Sequence, residues 1–306
     1  MTNVLRWGRS AYETPLDLAG EAEALAALGC RVRQEEGPEP ALEDVEVLVV
    51  TSRQQVRAET LARAPQVGLV ITTTSGHDHV DLAAAEARGV AVCRCPLARR
   101  DAVVDTAMAM GLALLRDLPG LHARARDGAW ARGELPARRL GLVRGLEVGV
   151  IGYGVIGRRA TEAWRNLGAR VRWHDPAVSG SLPLADLFEL SRLVTLHCAL
   201  TPTSERILDS WAFDAMAPGT VVVNTARGRC VDVQALLAAE HLGGIGLDVF
   251  PQEPWPGLQT LASRPSTLLT PHAAGYHAGL GAAIAHEVEA TVGAWLEQAP
   301  LPHRLV

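Results

Sequence analysis

A short apolar run, residues 148–151, passes without a spacer into Gly152-Tyr153-Gly154-Val155-Ile156-Gly157, and a helix-length segment follows over residues 155–167. The string fits G-x-G-x-x-G, and a strand before it with a helix after it is the setting in which that pattern carries meaning. Gly152 permits a tight turn, Gly154 lets the backbone approach a pyrophosphate, and Gly157 allows the helix to pack on the strand. The helix N-terminus, opening at Val155 and Ile156, offers N–H groups and a partial positive charge to an anion. A chain built on this unit is committed to βαβ winding, with parallel strands joined by helical crossovers. The next strand ends at Trp173-His174-Asp175, and Asp175 lies 18 residues beyond Gly157. That is near the ~20-residue spacing of the acid that holds a ribose 2′-OH. A carboxylate there repels a 2′-phosphate, so NAD is favoured over NADP.

The alternation extends over the whole chain. Strand-like runs at residues 3–7, 30–33, 45–50, 67–72 and 90–93, with helix-length segments such as 16–28 and 81–88 between them, predict a small parallel α/β domain. A second series at residues 146–151, 170–174, 193–197, 220–224, 244–248 and 267–270 matches a full dinucleotide-binding sheet. Its intervening helices are predicted at 155–167, 184–190, 211–216 and 233–240. Residues 101–118 lie between the two series and are apolar on all sides over 107–115. Such a helix is buried all round, or covered on one side by another subunit. Residues 277–296 read as an amphipathic helix.

Composition removes several chemistries. All 29 basic residues are arginine, so no lysine Schiff base and no P-loop lysine is possible. Any general base must be His, Asp, Glu, Tyr or Cys. A net charge of −5 argues against a nucleic-acid or anionic-membrane surface. Residues 1–20 carry Arg6, Arg9, Glu13 and Asp17 and no apolar run, so they do not read as a signal peptide. Nothing approaches the ~18 apolar residues of a membrane span. Five cysteines without framework spacing fit a reducing cytoplasm, and no metal site is expected.

A doubly wound sheet binds ligands beyond the carboxyl ends of its strands. Polar residues collect at those ends in the second series. After the Gly turn and Asp175 come His197, then Asn224-Thr225-Ala226-Arg227-Gly228, then Asp248 with Glu253, then Pro271-His272. Arginine pairs with a carboxylate through two parallel hydrogen bonds and polarises an adjacent carbonyl. Histidine gives or takes a hydroxyl proton near neutrality. A carboxylate paired with a histidine favours the imidazolium. These types suit hydride transfer at a carbonyl, with the nucleotide supplying the hydride.

Residues 224–232 (NTARGRCVD), 246–254 (GLDVFPQEP) and 270–275 (TPHAAG) carry a resemblance. In order and spacing they resemble the Arg, Glu and His signatures of the D-isomer-specific 2-hydroxyacid dehydrogenase family, and the likeness covers nearly the whole chain. The resemblance implies that Arg227 binds the substrate carboxylate and carbonyl, that His272 is the acid/base with Glu253 as partner, and that Asp248 lies near the nicotinamide. It places Thr225, Ala226, His197 and Gly275 with the cofactor. Residues 73–81 (TTSGHDHVD) look like the family's substrate-carboxylate loop, with backbone N–H groups around Ser75 and Gly76 as the binding donors. The implied fold is α/β with two Rossmann-like domains. A doubly wound NAD-binding domain (99–272) is inserted in a smaller flavodoxin-like substrate domain (1–98 plus 273–306), with catalysis in a cleft closed by a hinge. A homodimer through the 101–118 region is implied too. The chain departs from the family at Ala199, usually proline, at Asp105-Thr106 and at His77, and residues 238–246 look shortened. The implied reaction is hydride transfer between NAD(H) and C2 of a 2-oxo or D-2-hydroxy acid. The alternative is an NAD-sensing regulatory protein on the same fold.

Overall fold

In the computed structural model, which describes residues 1–138 and 140–306, every strand pairing is parallel. Strands β1 (Asn3–Trp7), β2 (Arg31–Glu35), β3 (Val47–Val50), β4 (Leu69–Thr72) and β5 (Ala91–Arg94) form one sheet in the order β2-β1-β3-β4-β5. Strands β6 (Glu147–Ile151), β7 (Arg170–His174), β8 (Leu193–Leu196), β9 (Val221–Asn224), β10 (Gly244–Leu247) and β11 (Thr267–Leu269) form a second, ordered β11-β10-β9-β8-β6-β7. The chain divides into two compact units, Met1–Arg99 with Tyr276–Val306, and Arg100–Gly275.

The central strands are continuous Val/Leu/Ile runs because helices cover both faces of a parallel sheet. In β3, Val47 and Val49 enter one apolar cluster while Leu48 and Val50 enter the cluster on the opposite face, as the two-residue period of a strand requires. In β9, Val222 points to one face and Val221 and Val223 to the other. The strands begin later than the apolar runs suggest. Val45 and Val67 are buried yet precede β3 and β4, so apolarity there marks burial rather than pairing.

The C-terminal helix Leu280–Leu296 brings Ile284, Val288 and Val292 onto the face occupied by Val47 and Val49. It also lies close to the helix Pro15–Ala27: a Cβ on Gly281 would sit 2.1 Å from Asp17 Cγ. The tail beyond it returns to β5, where Leu305 N–H donates to Val92 O at 2.8 Å. Inside this unit Arg6 is buried between Glu13 and Glu21. Burial pushes the Glu21 carboxyl up, opposed by the Arg6 charge.

Two features were left open by residue order. First, the second sheet runs, in its own strand order, 2-1-3-4-5-6, where a sheet made from two equal halves runs 3-2-1-4-5-6. The stretch between β7 and the helix Leu184–Leu190 is turn rather than strand. It is tied down where Asp175 N–H donates to Ser181 Oγ at 2.9 Å and Leu182 N–H to Trp173 O at 2.9 Å. The switch point therefore falls between β6 and β8. Second, the helix over Leu97–Leu115 is one-sided rather than buried all round. Ala107, Met110 and Leu114 are buried, whereas Ala109 is exposed. Met110 and Leu114 pack against Gly244 and Gly246 of β10, where glycines leave the sheet surface low. Among the described residues, no helix is long and apolar enough to cross a membrane.

Candidate active site

The dinucleotide turn lies at the switch point, where open α/β sheets bind ligands. Gly152 has φ +89°, and a Cβ there would lie 2.5 Å from Cys198 N. A Cβ on Gly157 would lie 1.9 Å from Gly152 O, so only glycine lets the helix Val155–Asn166 start against the strand. A Cβ on Gly154 would meet nothing within 4 Å. That open position, ahead of Val155 and Ile156 at the first helical turn, is the approach a phosphate needs. Asp175 reaches back from β7: its Oδ2 accepts from Tyr153 N–H at 2.8 Å and its Oδ1 from Ala177 N–H at 3.1 Å. The Tyr153 ring stacks on Trp173 at 4.3 Å, with the Arg158 guanidinium 4.9 Å from its centre.

His197 follows β8. Its Nε2 lies 3.1 Å from Thr195 Oγ1, and burial lowers its pKa to about 4, so the ring is neutral at physiological pH. In the unfolded chain the ring takes its proton near 6.5. The unfolded state then binds more protons between those two values. Stability is therefore present above 6.5 and drains away as the pH falls towards about 4. Thermal midpoints measured across that range should fall with acid, and fall less in His197→Asn. An equal fall would remove His197 as the cause.

The second cluster sits where β9, β10 and β11 end side by side. Asn224 closes the first turn, its Oδ1 accepting from Ala226 N–H and its Nδ2 donating to Arg227 O, both at 2.9 Å. Thr225 is largely buried in this turn. Arg227 is half-buried, with Nη1 2.9 Å from Ala226 O. Backbone bonds lace the three ends together: Asp248 N–H donates to Asn224 O at 3.0 Å, and His272 N–H to Asp248 O at 2.7 Å. Gly228 lets the Arg227 turn pack on the β10 exit, since a Cβ there would lie 1.9 Å from Phe250 C. That obstacle is backbone and cannot swing away. Gly228→Ala should destabilise this unit by at least about 2 kcal/mol, read from denaturant unfolding. A loss within error of zero would mean the turn relaxes freely.

Asp248 is buried and its carboxylate organises the histidine loop. It accepts from Thr270 Oγ1 at 2.6 Å, Ala273 N–H at 2.8 Å and Ala274 N–H at 2.9 Å. These bonds hold His272 at φ +54°, a left-handed conformation costing a non-glycine residue about 1–2 kcal/mol. His272 Nδ1 meets Glu253 Oε2 at 2.6 Å, and Glu253 Oε1 accepts from Phe250 N–H at 3.0 Å. Burial alone would raise the Glu253 carboxyl; the hydrogen bonds from His272 and Phe250, with the charges of His272 and Arg227, outweigh it and hold the group below its ordinary value. With Nδ1 committed to Glu253, proton exchange with a ligand falls to Nε2 of a half-exposed ring. Gly275 closes the segment at the end of this unit.

In the other unit, β4 runs into Thr73–Gly76. Arg99 donates to Thr73 O, Arg94 Nη1 donates to Ser75 O at 3.1 Å, and Thr74 Oγ1 donates to Gly76 O at 2.7 Å. Thr72 Oγ1 lies 2.9 Å from both Thr74 Oγ1 and His79 Nε2. The loop's carbonyls are thus held by protein donors, while among the described residues of this unit the Ser75 and Gly76 N–H groups make no backbone hydrogen bond. Among the described residues, no three His, Cys, Asp or Glu side chains are grouped to hold a metal ion, the His77–His79 stretch included.

Sequence reasoning singled out the residues at the strand ends but missed those that hold them. Asn224 and Thr270 were visible inside the motifs, and small polar residues beside a functional side chain are a usable signal for turn closure. Arg94 and Arg99 carried no such signal, because their partners are 19 and 26 residues away.

The two parallel sheets, with a dinucleotide turn at the switch point of the second, define the class of a nucleotide-binding α/β protein. A family model described as D-isomer specific 2-hydroxyacid dehydrogenase, NAD binding domain, matches residues 108–274. The chain belongs to that family, and the matched segment is its NAD-binding domain. D-3-phosphoglycerate dehydrogenase from Mycobacterium tuberculosis is 33% identical over 267 residues, covering 81% of this chain and 50% of that protein. The Escherichia coli protein of the same name is 31% identical over 254 residues, covering 77% of this chain and 60% of its own length. The chain thus spans about half the length of the curated relatives it matches. A crystal structure of a protein from Thermus thermophilus superposes with a TM-score of 0.79 at 31% identity over 100% of both chains. The fold is shared with D-lactate dehydrogenase from Aquifex aeolicus, solved with NAD and lactic acid (TM-score 0.81, 24% identity, 97% of this chain and 96% of that one).

Proposed function

We propose that the protein transfers a hydride between NAD(H) and C2 of a 2-oxo acid or D-2-hydroxy acid. The observation that carries this reading is the 2.6 Å pairing of His272 Nδ1 with Glu253, beside Arg227. The residues present fit the nucleotide: Gly154 leaves its side open, the helix at Val155 presents N–H groups, and Asp175 places a carboxylate at the end of β7. When bound, NAD supplies or accepts the hydride.

The chain's own residues do the rest. Arg227 pairs with the substrate carboxylate and polarises the neighbouring carbonyl, so negative charge growing on the C2 oxygen meets a fixed cation. His272 delivers a proton to that oxygen from Nε2 in reduction and removes it in oxidation. Glu253 keeps the ring in the orientation and charge state this requires. Ser75 and Gly76 offer backbone N–H groups to the carboxylate. Asp248 fixes the loop on which His272 stands. The half-exposed helix Leu97–Leu115 is the surface through which this reading pairs two subunits.

The test is NADH oxidation over a panel of 2-oxo acids, with NADPH in parallel. At least one 2-oxo acid should support saturable turnover. NADH should be preferred by at least about tenfold, which corresponds to ~1.4 kcal/mol, because Asp175 repels a 2′-phosphate. Preference for NADPH would overturn the role given to Asp175. Saturable NADH binding without oxidation of any 2-oxo acid would make the protein an NAD-binding regulator instead.

A further inference from the structure

Five cysteines are free thiols, and two of them face each other across the candidate site. Cys198 directly follows His197 at the exit of β8, and Cys230 closes the short turn Gly228–Cys230 after Arg227. Their sulfurs are 3.9 Å apart although the residues are 32 apart in sequence. Cys198 is partly exposed and Cys230 is buried. We propose that Cys198 and Cys230 are an oxidative modification site, a dithiol that a peroxide closes into a disulfide, distorting the dinucleotide turn and the Arg227 turn together.

The other three thiols differ in kind. Cys30, Cys93 and Cys95 belong to the other unit and are all buried. Burial pushes Cys93 up to about 11 and Cys95 well above its ordinary value, so both stay protonated. At the pair, the hydrogen bond from Cys198 lowers Cys230, with burial opposing it and with Ser204 and the Arg227 charge helping, while Cys198 is raised. The pair therefore differs from the other three thiols in having a second sulfur 3.9 Å away and in the direction Cys230 is moved, towards the thiolate from which cysteine oxidation proceeds.

The chemistry balances with a peroxide as oxidant. One sulfur attacks a peroxide oxygen, the O–O bond breaks, and a sulfenic acid and water form. The second sulfur then attacks the sulfenic sulfur, the S–O bond breaks, the S–S bond forms and a second water leaves. The two thiols lose two electrons, which the peroxide gains, and both thiol protons end in water. The sulfurs must close from 3.9 Å to a bond of about 2.05 Å. The two turns are packed closely where the movement falls: a Cβ on Gly152 would lie 2.5 Å from Cys198 N.

The crosslink itself does not depend on the proposed function; its effect on turnover rests on that reading. The purified full chain is treated with hydrogen peroxide, and intact mass and peptide mapping are measured without reductant. The expected result is loss of two hydrogen masses, a linkage joining Cys198 to Cys230, and reversal by dithiothreitol. NADH affinity should weaken with the crosslink, and 2-oxo acid reduction should fall by about 100-fold, the scale of an ångström-sized misplacement. Cys198→Ala and Cys230→Ser should each block the mass loss. A linkage to any other cysteine, or oxidation stopping at separate sulfinic acids in the wild type, would overturn the proposal. So would a mass loss that persists in both variants. A mapped crosslink in a protein that reduces no 2-oxo acid would leave this site standing and remove the activity reading instead.

Discussion

His272→Ala is expected to lower 2-oxo acid reduction by about 1,000-fold, within the range general acid catalysis supplies, while NADH binding should stay close to that of the wild type. The separation follows from the geometry. The nucleotide turn lies at the ends of β6 and β7, whereas His272 stands beyond β11 at the far edge of the same sheet. Its backbone is held by Asp248 through bonds that do not involve the ring. Removing the imidazole therefore keeps the backbone bonds of the loop and takes away the proposed proton donor together with its pairing to Glu253. The measurement is kcat from NADH oxidation beside NADH affinity from fluorescence. Retention of kcat within about tenfold would place the proton elsewhere. Glu253→Gln serves as a second readout. It keeps the hydrogen-bonding shape and loses the charge, so reduction should fall while NADH affinity holds.

Arg227→Ala should cost about 100- to 1,000-fold in kcat/KM, the scale measured when one preorganised electrostatic contact to a developing oxyanion is removed. Both kcat and KM should suffer, because the guanidinium is given the substrate carboxylate and the carbonyl at once. Arg227→Lys keeps the charge and loses the planar fork, so it should recover only part of the activity. The backbone here does not depend on the side chain: Asn224 holds Arg227 through its main-chain carbonyl. Thermal midpoints of both variants should therefore match the wild type. Near-normal kcat/KM in Arg227→Ala across all accepted 2-oxo acids would refute the assignment.

Much of this was legible from residue order. Six strand ends carrying polar residues pointed to one edge of a parallel sheet, because parallel strands all finish on the same side. The unbroken apolar runs of β3 and β9 could be read as strands buried on both faces. Three elements could not be read. Residues 107–115 read as apolar on all sides, yet only packing on Gly244 and Gly246 decides which side is covered. The strand order of the second sheet depends on residues 176–183 making a turn rather than a strand, which Asp175 and Ser181 secure by contact. Asp248 was read as a neighbour of the nicotinamide, and its bonds show it also holding the loop of a histidine 24 residues further on.

The sequence by itself determined the winding, the dinucleotide turn and which polar residues stand at the strand ends, because each rests on local spacing. A glycine pattern after a strand, and a charged residue after another, need no knowledge of distant neighbours. Only the tertiary structure decided how those side chains are held. The left-handed His272, the 2.6 Å pairing with Glu253 and the Cys198–Cys230 approach all join residues far apart in the chain. Such contacts arise from sheet order and from turns packed to the limit a glycine allows, and neither quantity is written in any one stretch of residues.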